Sequence, residues 1–425
     1  MRLKSAFIVS ALCLTAASAH AADFRITDFG ATADDATLDT VAIQKAIDEA
    51  HAKSGGRVVF PKGLFRSGSI FLKAGVELYL EKDSVLMGSN HIEDYPKRKT
   101  RIEGHFPEWR MALINAQELP QVRIGGEGKI DGNGILFWAA FWQRRKENRN
   151  LTNLEVERPR MFFIDRCNDV RLTGLTLRDS GFWNVHLYRC RSVVLEGLDI
   201  ATPGVGAVVR APSTDGIDID SCQDVTVRGC KISVDDDCIA LKGTKGPLAL
   251  EDETSPPVEN ILIENCTFGE GHGVLTCGSE ATIVRNVTIR NCTISGENNV
   301  VRLKLRPDTP QTYENLTFEN LRLEGGKGRL FDVKPWTQFF DLKGHPLQPS
   351  IVKNVVIRNV TGSYGMLGVL NANAIDTVKN ITLENISLTL ADDQFELGKV
   401  ENLALRNVTI NGNPYSLPET VNARR

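Results

Sequence analysis

Two short stretches of the 425-residue chain concentrate acidic residues that could do chemistry. Asp215, Asp218 and Asp220 lie in Ser213-Thr214-Asp215-Gly216-Ile217-Asp218-Ile219-Asp220. Asp235, Asp236 and Asp237 follow in Ser233-Val234-Asp235-Asp236-Asp237-Cys238-Ile239-Ala240. Three consecutive acids running straight into Cys-Ile-Ala are costly beside a core unless they are used. Neighbouring carboxylates serve acid–base hydrolysis, and an oxygen-rich cluster also suits calcium. A polar turn is the plainest alternative. Further on come Gly271-His272-Gly273 and Arg302-Leu303-Lys304. Period-2 alternation puts Arg302 and Lys304 on one strand face. Two cations held together beside a carboxylate cluster point to a ligand carboxylate. A histidine between glycines, taken alone, serves a turn as readily as a site.

The elements that must position these residues show in an internal repeat. From Val122 onward the chain repeats a unit close to x-Asn-Val-x-Ile-x-Asn-x-x-Ile. Apolar runs begin at Val170, Val193, Val225, Ile261, Val287, Leu316, Val355, Ile381 and Leu403, 22 to 39 residues apart. Apolar residues alternate with polar ones inside each copy, as at Val287 and Ile289, the period of a half-buried strand. Such a strand cannot bury its face alone, whereas stacked copies bury one continuous core. The residue four after each run's start is Gly174, Gly197, Gly229, Asn265, Asn291, Asn320, Asn359, Asn385 or Asn407. Glycine and asparagine tolerate a left-handed backbone most cheaply, so every coil is expected to turn there with positive φ. Stacked asparagines can also bond along the stack. The fold expected is all-β, a parallel β-helix. Helical spacing over residues 40–52, with Ile43 and Ile47 on one side, reads as a helix closing the N-terminal end. No strong closing element is evident after Ile410. On this stack the acid, histidine and cation motifs fall on successive coils, with Asp215 and Asp236 about one short coil apart. Asp236 would share the buried face of Val234, so the chain must bend at Asp235.

The cysteines fall into columns. Cys167, Cys190 and Cys222 lie three residues before a unit's first apolar residue, and Cys230, Cys266 and Cys292 five after it. Neighbours in such columns point the same way, which favours packed thiols over disulfides. No Cys-x-x-Cys pair or histidine cluster accompanies them, so no metal is expected.

Arg2 and Lys4, the apolar run from Ala6 to Ala17 and Ala19-His20-Ala21 read as a signal peptide over residues 1–21. Residues 22–425 then form a single domain, exported to the periplasm or secreted. No later run of about 18 apolar residues exists, so no membrane insertion is expected. Fifty basic against fifty-three acidic residues give −3, without charged blocks, which argues against nucleic acid as a partner. A solenoid with closed ends is expected to be a monomer.

The motifs together resemble the polygalacturonase family of glycoside hydrolases, in which Asn-Thr-Asp, Gly-Asp-Asp, Gly-His-Gly and Arg-Ile-Lys occur in order. This chain has Ser213-Thr214-Asp215, Asp235-Asp236-Asp237, Gly271-His272-Gly273 and Arg302-Leu303-Lys304, with Gly125-Gly126-Glu127-Gly128-Lys129-Ile130-Asp131-Gly132 as an early coil. The resemblance implies a right-handed parallel β-helix that hydrolyses pectic polysaccharides with inversion and needs no cofactor. It implies Asp236 as general acid, Asp215 and Asp237 as the pair that orients and deprotonates water, and His272 tuning the acid. Arg302 and Lys304 would bind the sugar carboxylate. An inverting pair is expected about 6.5–9.5 Å apart. Ser213 and Asp235 replace the family's Asn and Gly and would alter the subsites. Three long excursions, residues 138–158, 243–257 and 334–350, could wall a groove. Within them Trp138, Trp142 and Trp336 are candidates for stacking on sugar rings.

The expected activity is hydrolysis of galacturonic-acid-containing pectic oligosaccharides or polysaccharides, exo-acting at chain ends. An endo-polygalacturonase or rhamnogalacturonan hydrolase is the alternative within the class. A calcium-dependent β-helix lyase and a non-catalytic glycan-binding protein are the alternatives outside it.

Overall fold

The computed structural model describes residues 22–204, 206 and 208–417. The expected signal peptide, residues 1–21, lies outside them. Thirty strands join one sheet, almost wholly parallel, wound as a β-helix. The register is the one the repeat implies: Val122, Val170, Val193, Val225, Ile261, Val287, Leu316, Val355, Ile381 and Leu403 pair in succession. Two positions on in each copy, Leu172, Leu195, Val227, Ile263, Ile289, Phe318 and Ile357 form a second buried ladder. Each such side chain contributes about 1.5–3 kcal/mol when fully buried. One coil supplies few of them; the stack makes a continuous core.

All nine residues of the Gly/Asn column have φ between 52° and 73°. Asparagine amides bond up that column, Asn320 to Asn291 at 3.0 Å, Asn359 to Asn320 at 3.0 Å, Asn385 to Asn359 at 3.1 Å and Asn407 to Asn385 at 2.9 Å. A second ladder, not anticipated, stands one residue before each apolar run. It joins Asn260, Asn286, Asn315, Asn354, Asn380 and Asn402, all with positive φ.

A helix, α1 (Thr40–Ala52), buries Ala42, Ile43, Ala46, Ile47 and Ala50 and packs on the first strands. At the other end the chain turns at Asn411 and Gly412, and Asn413–Pro414 pairs antiparallel with Thr409 and Ile410. All eight cysteines among the described residues are buried and free. The Sγ of Cys222 accepts the Cys190 N–H at 3.2 Å, and that of Cys292 the Cys266 N–H at 3.5 Å.

Candidate active site

The site stands on one strip of the sheet, the stacked strands Val185–Tyr188, Ile217–Asp220, Ile239–Lys242, Leu275–Cys277 and Asn299–Leu305. The chain bends at residues 235–236, between the strands Lys231–Val234 and Ile239–Lys242. That bend lets Asp236 and Asp237 leave the alternation of the strand. Asp237, not Asp236, stands one coil from Asp215, because Ile217 pairs with Ile239 and Gly216 N–H donates to Asp237 O at 2.9 Å. His272 stands on Asp236: its backbone N–H donates to Asp236 O at 2.8 Å, and its Nδ1 lies 3.0 Å from Asp236 Oδ1. Gly273 follows by necessity. A Cβ there would lie 2.3 Å from Thr276 Oγ1 and 3.1 Å from Asp237 Oδ1.

Oxygens of Asp215, Asp236 and Asp237 all lie within 4.8 Å of one another. This is narrower than the separation expected for an inverting pair. Such a cluster has the oxygen chemistry of a calcium site, but cations of the protein already neutralise it. Arg302 Nη1 donates to Asp237 Oδ1 at 2.6 Å and Lys304 Nζ to Oδ2 at 2.9 Å. Lys242 Nζ lies 3.2 Å from Asp215 and 3.4 Å from Asp218.

These partners move the three carboxyls in opposite directions. Burial disfavours the Asp237 anion, but Lys304 and Arg302 overcome it and hold the carboxyl well below its usual range. Burial likewise works against charge on Asp236, and the His272 contact more than offsets it. His272 is raised in turn by Asp236. Asp215 goes the other way: burial raises it to about 7, with Lys242 opposing and Asp236 and Asp237 adding to the rise. Of these three carboxyls Asp215 most readily holds a proton, with buried Asp218 behind it raised further still, while in the Asp236–His272 pair the imidazole is favoured as the proton holder.

A cavity of about 360 Å³ lies over this cluster. Ser213, Asp215, Asp235, Asp236, Asp237, His272, Arg302, Lys304, Trp142 and Trp336 all line it. Trp138 does not. It sits in a helix, α2 (Ile135–Glu147), is 1% exposed, and donates its Nε1–H to Ser180 O at 3.0 Å. It anchors the excursion rather than facing a sugar. Trp142, one turn on, donates to Arg210 O at 2.8 Å and reaches the cavity. Trp336 lies under both cations, 5.0 Å from Lys304 Nζ and 5.5 Å from the Arg302 guanidinium. Arg302 and Lys304 are not free anion receptors, since both hold Asp237 and Arg302 Nε also lies 3.3 Å from Asp332. Asp235 is clamped by Arg210 and accepts the Ala211 N–H at 2.8 Å, which ties the loop before Ser213 to the acid strand. Ser213 holds a left-handed turn, φ 56°. Residues 138–158 and 334–350 supply cavity walls, but no residue of 243–257 does.

Lys242, Glu280, Trp183 and Glu103 line the cavity and were not anticipated. Lys242 stands over the Trp183 ring at 4.6 Å. Period 2 from Ala240 places Lys242 outward on the acid strand, a signal the sequence does carry.

A protein-family model described as Glycosyl hydrolases family 28 matches residues 93–411, and one described as Rhamnogalacturonase A/epimerase, pectate lyase-like matches residues 24–81. A probable polygalacturonase of Vitis vinifera is 25% identical over 406 residues, 92% of this chain and 78% of that protein. An endo-polygalacturonase of Pectobacterium carotovorum is 25% identical over 375 residues, 86% of this chain and 88% of that protein. The crystal structure of a hyperthermoactive exopolygalacturonase from Thermotoga maritima superposes with a TM-score of 0.72 at 23% identity, covering 93% of each chain. With the family model spanning most of the β-helix and all four motifs, the chain belongs to glycosyl hydrolases family 28 and is a glycoside hydrolase of the polygalacturonase kind.

Proposed function

We propose that the protein hydrolyses galacturonic-acid-containing pectic glycans from chain ends, with inversion. One observation carries the reading: three carboxyls, two held below the usual range and one raised to about 7, share a cavity with Arg302, Lys304 and three tryptophans. Asp236 is assigned to protonate the leaving oxygen; because it stands ionised against a raised His272, the proton it delivers comes from that imidazole 3.0 Å away. Asp215 and Asp237 hold the attacking water. Two hydrogen bonds of about 2.8 Å span up to about 5.6 Å, so one water fits between oxygens no more than 4.8 Å apart. Lys304 keeps donors beyond the one given to Asp237, and these serve a sugar carboxylate. Exo action is supported by the modest cavity, at the low end of about 300–1,000 Å³ for ligand pockets, and by the two walls from residues 138–158 and 334–350.

Incubation with polygalacturonate tests each part. The expected result is monosaccharide from the earliest times with little viscosity loss, released as the inverted anomer by proton NMR. Intermediate oligosaccharides with a sharp viscosity drop would overturn exo action. A retained anomer would overturn inversion, and absorbance near 235 nm would show elimination instead. The leader-like start supports export, to periplasm or medium, which N-terminal sequencing of the exported protein checks.

A further inference from the structure

Glu103 lines the cavity, and the hydrolytic roles above do not use it. It comes from the segment before residue 111, which no repeat unit covers. Ile102 and His105 exchange both backbone hydrogen bonds at 2.9 Å, closing a two-residue hairpin turn. Its central residues, Glu103 and Gly104, have φ of 43° and 76°. Such a turn favours Asn-Gly, and glutamate is an unfavourable first residue. The turn is nevertheless firmly held. Arg101 Nε donates to Asp220 at 2.9 Å, and Arg160 Nη1 to Arg101 O at 2.7 Å. Gly104 packs so closely that a Cβ would lie 3.1 Å from Gly243 O. A strained residue on a pinned turn, aimed into a site, is where a functional constraint is expected.

Its electrostatic setting differs from that of every other acid lining the cavity. Asp215 has Lys242, Asp235 has Arg210, Asp236 has His272, Asp237 has Arg302 and Lys304, and Glu280 has Lys245, all within 4 Å. Among the described residues Glu103 has no cation within that distance. Its carboxyl receives one hydrogen bond, from Asn153 Nδ2 at 3.3 Å. Burial and the nearby Glu280 raise its pKa, with the more distant Lys245 and Lys242 and the Asn153 hydrogen bond opposing the rise. An unpaired carboxyl is a poor place for the carboxylate of an acidic sugar and a good one for hydroxyls, to which it can accept or, when protonated, donate.

We propose that Glu103 is a specificity-determining residue that hydrogen-bonds hydroxyls of the sugar in the cavity and turns the carboxylate-bearing edge away from itself. This rests on the galacturonide-hydrolase reading. Steady-state kinetics on trigalacturonate test it. Glu103→Ala is expected to raise KM about tenfold or more with kcat within about threefold, the signature of lost binding common to ground and transition states. Glu103→Gln keeps shape and hydrogen bonding and is expected within about threefold of the parent in both. An unchanged KM in Glu103→Ala overturns the proposal, and so does equal impairment of both variants. Calorimetric titration of trigalacturonate into Asp236→Asn, with and without Glu103→Ala, separates the two readings. Absence of turnover in the parent with Glu103-dependent binding sinks the hydrolase reading alone. Absence of binding sinks both.

Discussion

Lys242→Met removes the cation paired with Asp215, and its effect can be worked from the contacts. Lys242 Nζ lies 3.2 Å from Asp215, 3.4 Å from Asp218 and 3.8 Å from Glu280, and the residue is 5% exposed. At an effective dielectric near 20, Coulomb's law gives about 5 kcal/mol for the closest of these before desolvation is counted. Asp215 is raised to about 7 even with Lys242 opposing the rise. A base must be ionised to act, so activity through Asp215 falls as pH drops through about 7. Without Lys242 the ionised form loses support and this acid limb moves upward. A shift of one pH unit needs only about 1.4 kcal/mol, well inside the Coulombic term. The expected result is an acid limb of kcat/KM displaced upward by at least about one unit. At pH 6 that is about a tenfold loss beyond any loss common to all pH values. Removing one partner of a buried pair also costs about 3–5 kcal/mol of stability, so folding is checked by thermal melting at each pH. Coincident acid limbs in a folded variant would refute the assignment of Asp215 as the ionising base.

Asp236→Asn is expected to lower kcat by at least about 10³-fold, near the upper part of the range for a general acid, with an unchanged circular dichroism spectrum. Trp138→Ala is expected to cost about 3–5 kcal/mol, read as a lower denaturation midpoint, while Trp142→Ala acts chiefly on KM in kinetics on oligogalacturonides. Asn359→Ala loses two amide bonds in the ladder and places alanine at φ 55°, so about 1–2 kcal/mol of loss is expected in urea unfolding, and less for Asn359→Gly. Thiol titration of the denatured, unreduced protein is expected to find all eight cysteines of the described chain free, and two disulfides would contradict the packing.

The fold was legible because the stack repeats its requirements. Each coil needs an apolar residue at the same two inward positions and a left-handed residue at the same turn, so nine copies overcome the ambiguity of any one. The second asparagine ladder escaped notice although its asparagine belongs to the repeat unit. At this position the earlier coils carry Asp169, Ser192 and Asp224 instead of glycine or asparagine, so the column is less uniform in residue type than the Gly/Asn one. Helix α2 escaped for a different reason: it lies in an excursion, where no neighbouring copy reinforces the pattern. As members of one long excursion, Trp138 and Trp142 are equivalent candidates for stacking on a sugar. Once they are helical, Phe137, Trp138 and Phe141 form the buried side and Trp142 falls at its edge.

The same distinction governs the active site. Asp215, Asp237, His272, Arg302 and Lys304 occupy register positions of the stack, so spacing alone brings them together. Their pairing is another matter. The sequence places two cations beside an acid cluster and cannot say whether they await a ligand or are already engaged. The structure shows them engaged, since a buried Asp237 anion without Arg302 and Lys304 would be prohibitively costly. A substrate carboxylate bound as proposed would therefore share these cations with Asp237 rather than claim them. On the proposed function such sharing would weaken their hold on Asp237 as the substrate arrives and would raise the proton affinity of the carboxylate assigned to the attacking water. Substrate charge and base strength would thereby be coupled through one pair of side chains. A neutral sugar in the same cavity would bind without that change, so the proposed preference for acidic sugars is expected in kcat as well as in KM.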